Sequence, residues 1–149
     1  MRTARIRLLI ASLWVGSIWT VGYVVAPTLF ASLADKVLAG TIAGKLFRIE
    51  AWLSVGAVVA LWVLLKTRMG EGDGRAGKQL RWLVLGMLAC TLIGYFALQP
   101  SMAALRAAAG PGGVMDAATK AQFGLLHGVS SVFYLIQSLL GVLLIWKLR

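Results

Sequence analysis

Four apolar runs of bilayer-spanning length leave this chain few folds to choose from: Ile6–Leu33, Leu46–Leu65, Trp82–Leu98 and Phe123–Trp146. Each supplies about 17 residues or more, and ~20 helical residues cross a hydrocarbon core of ~30 Å. In lipid only helices and closed barrels satisfy their own backbone groups. Continuous runs of this kind predict an all-α fold, an integral membrane four-helix antiparallel bundle. Residues 1–149 form one domain with spans at about 6–33, 41–65, 80–99 and 122–146. Only 13% of residues are charged against 60% hydrophobic, well below the ~25% charge of an ordinary soluble domain. That leaves nothing for a separate soluble domain.

The net charge of +10 would suit nucleic acid, but its distribution points elsewhere. Arg2, Arg5 and Arg7 precede the first span. Lys66, Arg68, Arg75, Lys78 and Arg81 fill the link between the second and third, and Lys147 and Arg149 follow the fourth. A chain that weaves from N-in to C-in gathers all of these on one face. This is the positive-inside pattern, and it places both termini in the cytoplasm. A basic link between spans needs no nucleic-acid partner. The apolar stretch Leu8–Phe30 exceeds the ~7–15 residues of a signal-peptide core, so the first span is read as retained. Cys90 is the single cysteine and falls mid-span as a small packing residue.

The link Ala34–Ala39 is short and predicts antiparallel neighbours. The link Lys66–Arg81 carries Gly70, Gly72, Gly74 and Gly77 among charges and reads as flexible. Beyond Pro100, Met102–Ala109 reads as a separate short helix broken by Gly110–Gly113, with Asp116–Lys120 starting the last helix. Pro27 reads as the end of the first helix, with a kink that opens space beside Glu50 as the alternative. Trp62, Trp82 and Trp146 lie toward the cytoplasmic interface and Trp52 toward the other side, as an aromatic belt requires. No internal repeat is evident.

Glu50 lies a few residues inside the second apolar run, where a carboxylate is costly unless protonated, paired or facing a wet cavity. At about 100° per residue, Arg48 points away from it. The Glu50 stripe is Gly40, Ala43, Phe47, Glu50, Ser54, Ala57 and Leu61. The opposite stripe holds Lys45, Arg48, Trp52 and Trp62. Small residues suit helix contact and long basic or indole side chains suit the lipid boundary, so Glu50 faces the bundle. In the fourth span His127 shares a stripe with Gly124, Ser131, Tyr134, Ser138 and Gly141. Residue counts place Glu50, His127, Tyr23 and Gln99 in one layer near the non-cytoplasmic boundary, with Ser131 in support. Gly40 with Gly44 and Gly124 with Gly128 are candidate packing steps.

Two readings of this layer stand. Glu50 and His127 either tie the second and fourth spans through a hydrogen bond, or they bind a cation or relay a proton. No metal site is expected, since one His, one Cys and scattered Met fall short of a usual ligand set; Glu50 and His127 are the weak candidates. Bis-histidine haem is excluded within one chain, and no cofactor is expected. Hydrolase motifs are absent, so no enzyme is expected either. The functional expectation is a non-enzymatic accessory or assembly protein. It would contact the lipid bilayer and other membrane proteins or a second copy, and no nucleic acid. The alternative is a small-solute, metal or proton handling protein using Glu50 and His127.

Three segments carry a family resemblance. They are Leu13-Trp14-Val15-Gly16 with Ala26-Pro27-Thr28-Leu29-Phe30, then Ala39 through Glu50, then Leu126-His127-Gly128-Val129-Ser130-Ser131. With these the chain resembles the bacterial family called domain of unknown function 4149, related to the eukaryotic transmembrane protein 205. The resemblance implies a four-helix protein of the bacterial inner membrane with no established activity. The eukaryotic relatives are associated with resistance to platinum drugs. It supplies no catalytic residues.

Overall fold

The computed structural model describes residues 2–66, 74–109 and 113–149. They form four long helices, α1 (Arg2–Ser32), α2 (Lys36–Lys66), α3 (Arg75–Ala107) and α4 (Ala117–Leu148), each long and apolar enough to cross a membrane. Helix α2 packs on α1 and α3, and α4 closes the ring between α3 and α1. The start of α1, the end of α2, the start of α3 and the end of α4 lie at one end of the bundle, the terminal end. The end of α1, the start of α2, the end of α3 and the start of α4 lie at the other, the link end.

The helices outrun the expected spans, and local chemistry explains where they stop. Asp35 Oδ1 accepts from the amides of Val37 (2.8 Å) and Leu38 (3.0 Å), which starts α2 at Lys36 rather than near residue 41. Lys36 Nζ donates to the carbonyls of Phe30 (2.5 Å) and Leu33 (3.0 Å) at the end of α1. Asp116 caps α4 through the Thr119 amide at 2.6 Å. Hydrogen bonds from Thr119 hold the exposed Asp116 carboxyl below its ordinary range.

Arg75, Lys78 and Arg81 are on α3 rather than in a loop, and Met102–Ala107 continue the same helix past Pro100. Of the expected breaks, Gly70, Gly72 and Gly110–Gly112 lie outside the described residues.

Neither proline ends its helix. Each sits just beyond a π-helical segment, Thr20–Val25 in α1 and Leu92–Ala97 in α3. A proline inside a helix lacks one N–H and its ring crowds the carbonyl four residues back. Widening the preceding turn to the π geometry absorbs that conflict. Pro27 therefore widens α1 without terminating it, and α1 runs on to Ser32.

The bundle is packed unevenly along its length. Ala11, Trp14, Val15 and Ile18 of α1 meet Val58 and Leu61 of α2, Leu80, Val84 and Met87 of α3, and Leu144 of α4, all in the terminal half. Above them lies a polar belt. Trp14 Nε1 donates to Ser54 Oγ at 2.8 Å, and Gln137 Nε2 donates to Thr91 Oγ1 at 3.0 Å.

Only 22–28% of each apolar window is buried inside the bundle. Leu13, Ile49, Trp52, Val59, Leu125 and Trp146 stand exposed on its outside. A continuous apolar exterior on helices of this length is what a bilayer covers. The protein is a multi-pass membrane protein.

The expected packing glycines divide. Gly124 and Gly128 are exposed with open space where a side chain would stand, and Gly40 and Gly44 face side chains of α1 and α3 rather than a neighbouring backbone. Close approach occurs instead at Gly141, where a Cβ would fall 2.8 Å from Val15 Cγ2. Gly141→Leu is expected to destabilise the bundle by about 1–3 kcal/mol through overpacking, while Gly124→Ala leaves it unchanged. Thermal unfolding of the two variants in detergent checks the contrast.

Candidate functional site

The π segment of α1 sets the geometry of the link half. Tyr134 of α4 inserts its phenol there, donating to the Ile18 carbonyl at 2.6 Å with its ring against Gly22. A side chain from α4 thus supplies a donor to a backbone carbonyl of α1 at the start of the widened turn. Position 22 tolerates this only as glycine, because any Cβ there would overlap the Tyr134 ring. The α3 segment has a looser counterpart, where Ser130 Oγ of α4 lies 3.4 Å from the Gly94 carbonyl.

The two π segments share more than a proline. Each contains a Gly-Tyr pair, Gly22-Tyr23 and Gly94-Tyr95. The even helices also correspond, Phe47-x-Ile49-Glu50 in α2 against Tyr134-x-Ile136-Gln137 in α4. The likeness between the halves goes no further than these short segments.

Above the polar belt the helices diverge around a cavity of about 520 Å³. Its deep wall includes Glu50, Ser54, Thr91 and Gln137. Its middle is ringed by Phe47, Tyr134 and Tyr23, and its upper part by Gln99, Arg106, Phe123 and His127. The remainder is mostly small or apolar, such as Ala26, Ala43 and Met102. Phe47 and Tyr134 meet edge to face at 5.5 Å, and Tyr23 and Tyr134 at 6.0 Å.

Most polar groups of the belt are satisfied. The Tyr23 hydroxyl donates to Ser138 Oγ (3.0 Å), which donates in turn to the Tyr134 carbonyl (2.9 Å). Glu50 is the exception. It is 4% exposed, and its Oε2 has no hydrogen-bond partner in the protein. Its Oε1 lies 3.2 Å from Ser17 Oγ, which also lies 2.8 Å from the Trp14 carbonyl. A serine hydroxyl has one proton to donate, so Ser17 is shared between Glu50 and Trp14, while Ser54 is a second hydroxyl beside the carboxylate.

All five expected site residues, Glu50, His127, Ser131, Tyr23 and Gln99, line this one cavity. They do not all share a layer. The Phe47–Tyr134 contact sets Tyr134 level with Phe47, which leaves His127, seven residues earlier in α4, about 10 Å from Phe47 toward the link end and still further from Glu50. Glu50 meets Ser17 of α1 rather than His127, and His127 stacks on Phe123 at 6.1 Å. A direct Glu50–His127 tie between α2 and α4 is therefore not the arrangement found.

Sequence reasoning missed Ser17, Gln137 and above all Arg106. Arg106 is half-buried and lies over the Phe123 ring at 5.7 Å. Its only bond to α2 is a long one of 3.5 Å to the Gly40 carbonyl. The Gly-Tyr pair before each proline was the signal that α3 continues past Pro100 and brings Arg106 back over the cavity. Among the described residues no three His, Cys, Asp or Glu side chains converge on a metal position.

The family profile for a domain of unknown function, DUF4149, matches residues 9–111. The chain belongs to the DUF4149 family. That match takes in α1 to α3, and so Glu50, Gln99 and Arg106. The Leu126–Ser131 segment on α4 lies beyond it. No curated protein and no solved structure matches the chain.

Gly22→Ala is expected to push the Tyr134 ring away from the widened turn of α1 and lower the unfolding temperature in detergent. Tyr134→Phe keeps the ring and loses the phenol bond, a smaller effect of about 1 kcal/mol. An alanine effect no larger than the phenylalanine one would contradict the insertion.

Proposed function

We propose that this DUF4149 protein binds a small solute in the cavity between its four helices, with Glu50 as the anchoring group. It would sit in the bacterial inner membrane with both termini inside, so that the cavity opens in the non-cytoplasmic half; the basic residues at the terminal end support that orientation. The observation that carries the reading is that Glu50 lines the cavity while its buried Oε2 has no hydrogen-bond partner in the protein. A carboxylate kept only to tie helices together would have its oxygens matched by neighbouring donors, because an unmatched one costs about 1–3 kcal/mol or more. Natural proteins tolerate such groups where function needs them.

The assembly reading rests on the exposed small-residue face at Gly124 and Gly128, which a second copy or another membrane protein would cover. Native mass spectrometry of protein extracted gently from its own membranes separates the two readings. The solute reading predicts a small-molecule adduct on the single chain that is lost in Glu50→Gln. A stable larger protein complex, with no small-molecule adduct in either form, would overturn it in favour of assembly.

A further inference from the structure

The cavity holds two charged groups of opposite sign that do not meet. Glu50 is at its deep end, buried and under-bonded. The Arg106 guanidinium is at its upper end. Its Nη1 and Nη2 lie 3.8 and 4.0 Å from where side chains would start at Gly40 and Gly44, and Gln99 Nε2 lies 3.4 Å from the Gly44 position. Gly44 and Glu50 are six residues apart on α2, an axial rise of about 9 Å. Gly40, beside the other guanidinium nitrogen, is ten residues from Glu50 and about 15 Å along the axis. The guanidinium therefore lies beyond the level of Gly44, and the lean of the Glu50 side chain toward its helix N-terminus takes up only part of the separation. The wall between them is apolar and aromatic.

Each end has its own chemical preference. A carboxylate below the Phe47 and Tyr134 rings is suited to an ammonium group, which gains a charge-assisted hydrogen bond and the electrostatic attraction of aromatic faces. A guanidinium with most of its five donors uncommitted, beside the Gln99 amide, is suited to a carboxylate, which it can grip with two parallel bonds. A ligand carrying only one charge would leave the other protein charge against an apolar wall without a partner.

We infer that the ligand is an elongated zwitterion, with an amine on Glu50, a carboxylate on Arg106 and Gln99, and an alkyl middle along the aromatic ring. This rests on the reading of the cavity as a solute site. An α-amino acid is too short to reach both ends, whereas an ω-amino acid several carbons long spans them.

The test uses the full-length protein in lipid nanodiscs, with calorimetry and thermal shift as readouts. The probes are glycine, γ-aminobutyrate, ε-aminocaproate and ω-aminooctanoate, with hexylamine and hexanoate as single-charge controls. Affinity is expected to rise from glycine to an optimum at an intermediate length, with each single-charge control weaker by roughly tenfold or more. Glu50→Gln should remove the preference for ε-aminocaproate over hexanoate, and Arg106→Gln the preference over hexylamine. The wild-type series alone decides the matter if either variant fails to fold. Hexylamine binding as tightly as ε-aminocaproate, and lost in Glu50→Gln, would overturn the zwitterion while leaving the solute site standing. No binding by any probe would overturn the zwitterion as well, and the adduct found by native mass spectrometry decides the solute site independently.

Discussion

A hydrocarbon core offers no partner to a broken backbone hydrogen bond, so a proline inside a spanning helix forces the protein to supply one from within. In α1 the turn before Pro27 widens to π geometry, and the Tyr134 phenol donates to the Ile18 carbonyl near its start. The consequences spread from that point. The widened turn keeps α1 continuous to Ser32, and the inserted ring holds α4 against α1 at the level of Phe47. Below this level the side chains interdigitate into a dry core; above it the helices part around the cavity. Without the insertion, the Ile18 carbonyl would lose its phenol donor beside the widened turn.

The polar belt marks the change from packed core to cavity, and its members are not equivalent. Gln137 and Thr91 satisfy one another, and Tyr23 and Ser138 extend a bonded chain to the Tyr134 carbonyl. Glu50 takes the corresponding position on α2, with Ser17 and Ser54 beside it and its Oε2 without a partner. Where α4 carries a neutral, bonded Gln137, α2 carries an acid with one unmatched oxygen. On the proposed reading that difference separates a structural tie from a binding group.

The four helices were legible because their apolar runs are long and nearly free of charge, and the inward face of Glu50 was legible because small residues recur at helical spacing beside it. The start of α2 was misjudged where a capping Asp35 extended it past the hydrophobic boundary, whereas the start of the last helix at Asp116–Lys120 was legible. Axial register was less legible still. Counting residues from Lys66 and Lys147 put Glu50 and His127 in one layer, but the height of one helix against another depends on side-chain contacts such as Phe47–Tyr134 that no single-helix count contains. Arg106 escaped notice because Pro100 was read as a stop. The π segment that carries α3 past it has no distinctive composition apart from the Gly-Tyr pair it shares with α1.

The central claim is that Glu50 is a binding group which the fold tolerates at a cost, rather than a tie that the fold needs. The thermal stability of ligand-free Glu50→Gln in lipid nanodiscs tests it most directly, since glutamine keeps the shape and removes the buried acid. The account predicts an unfolding temperature equal to or above that of the wild type, by up to the ~1–3 kcal/mol of an unmatched buried group. A variant less stable than the wild type by a comparable amount would contradict it and return Glu50 to the structural frame.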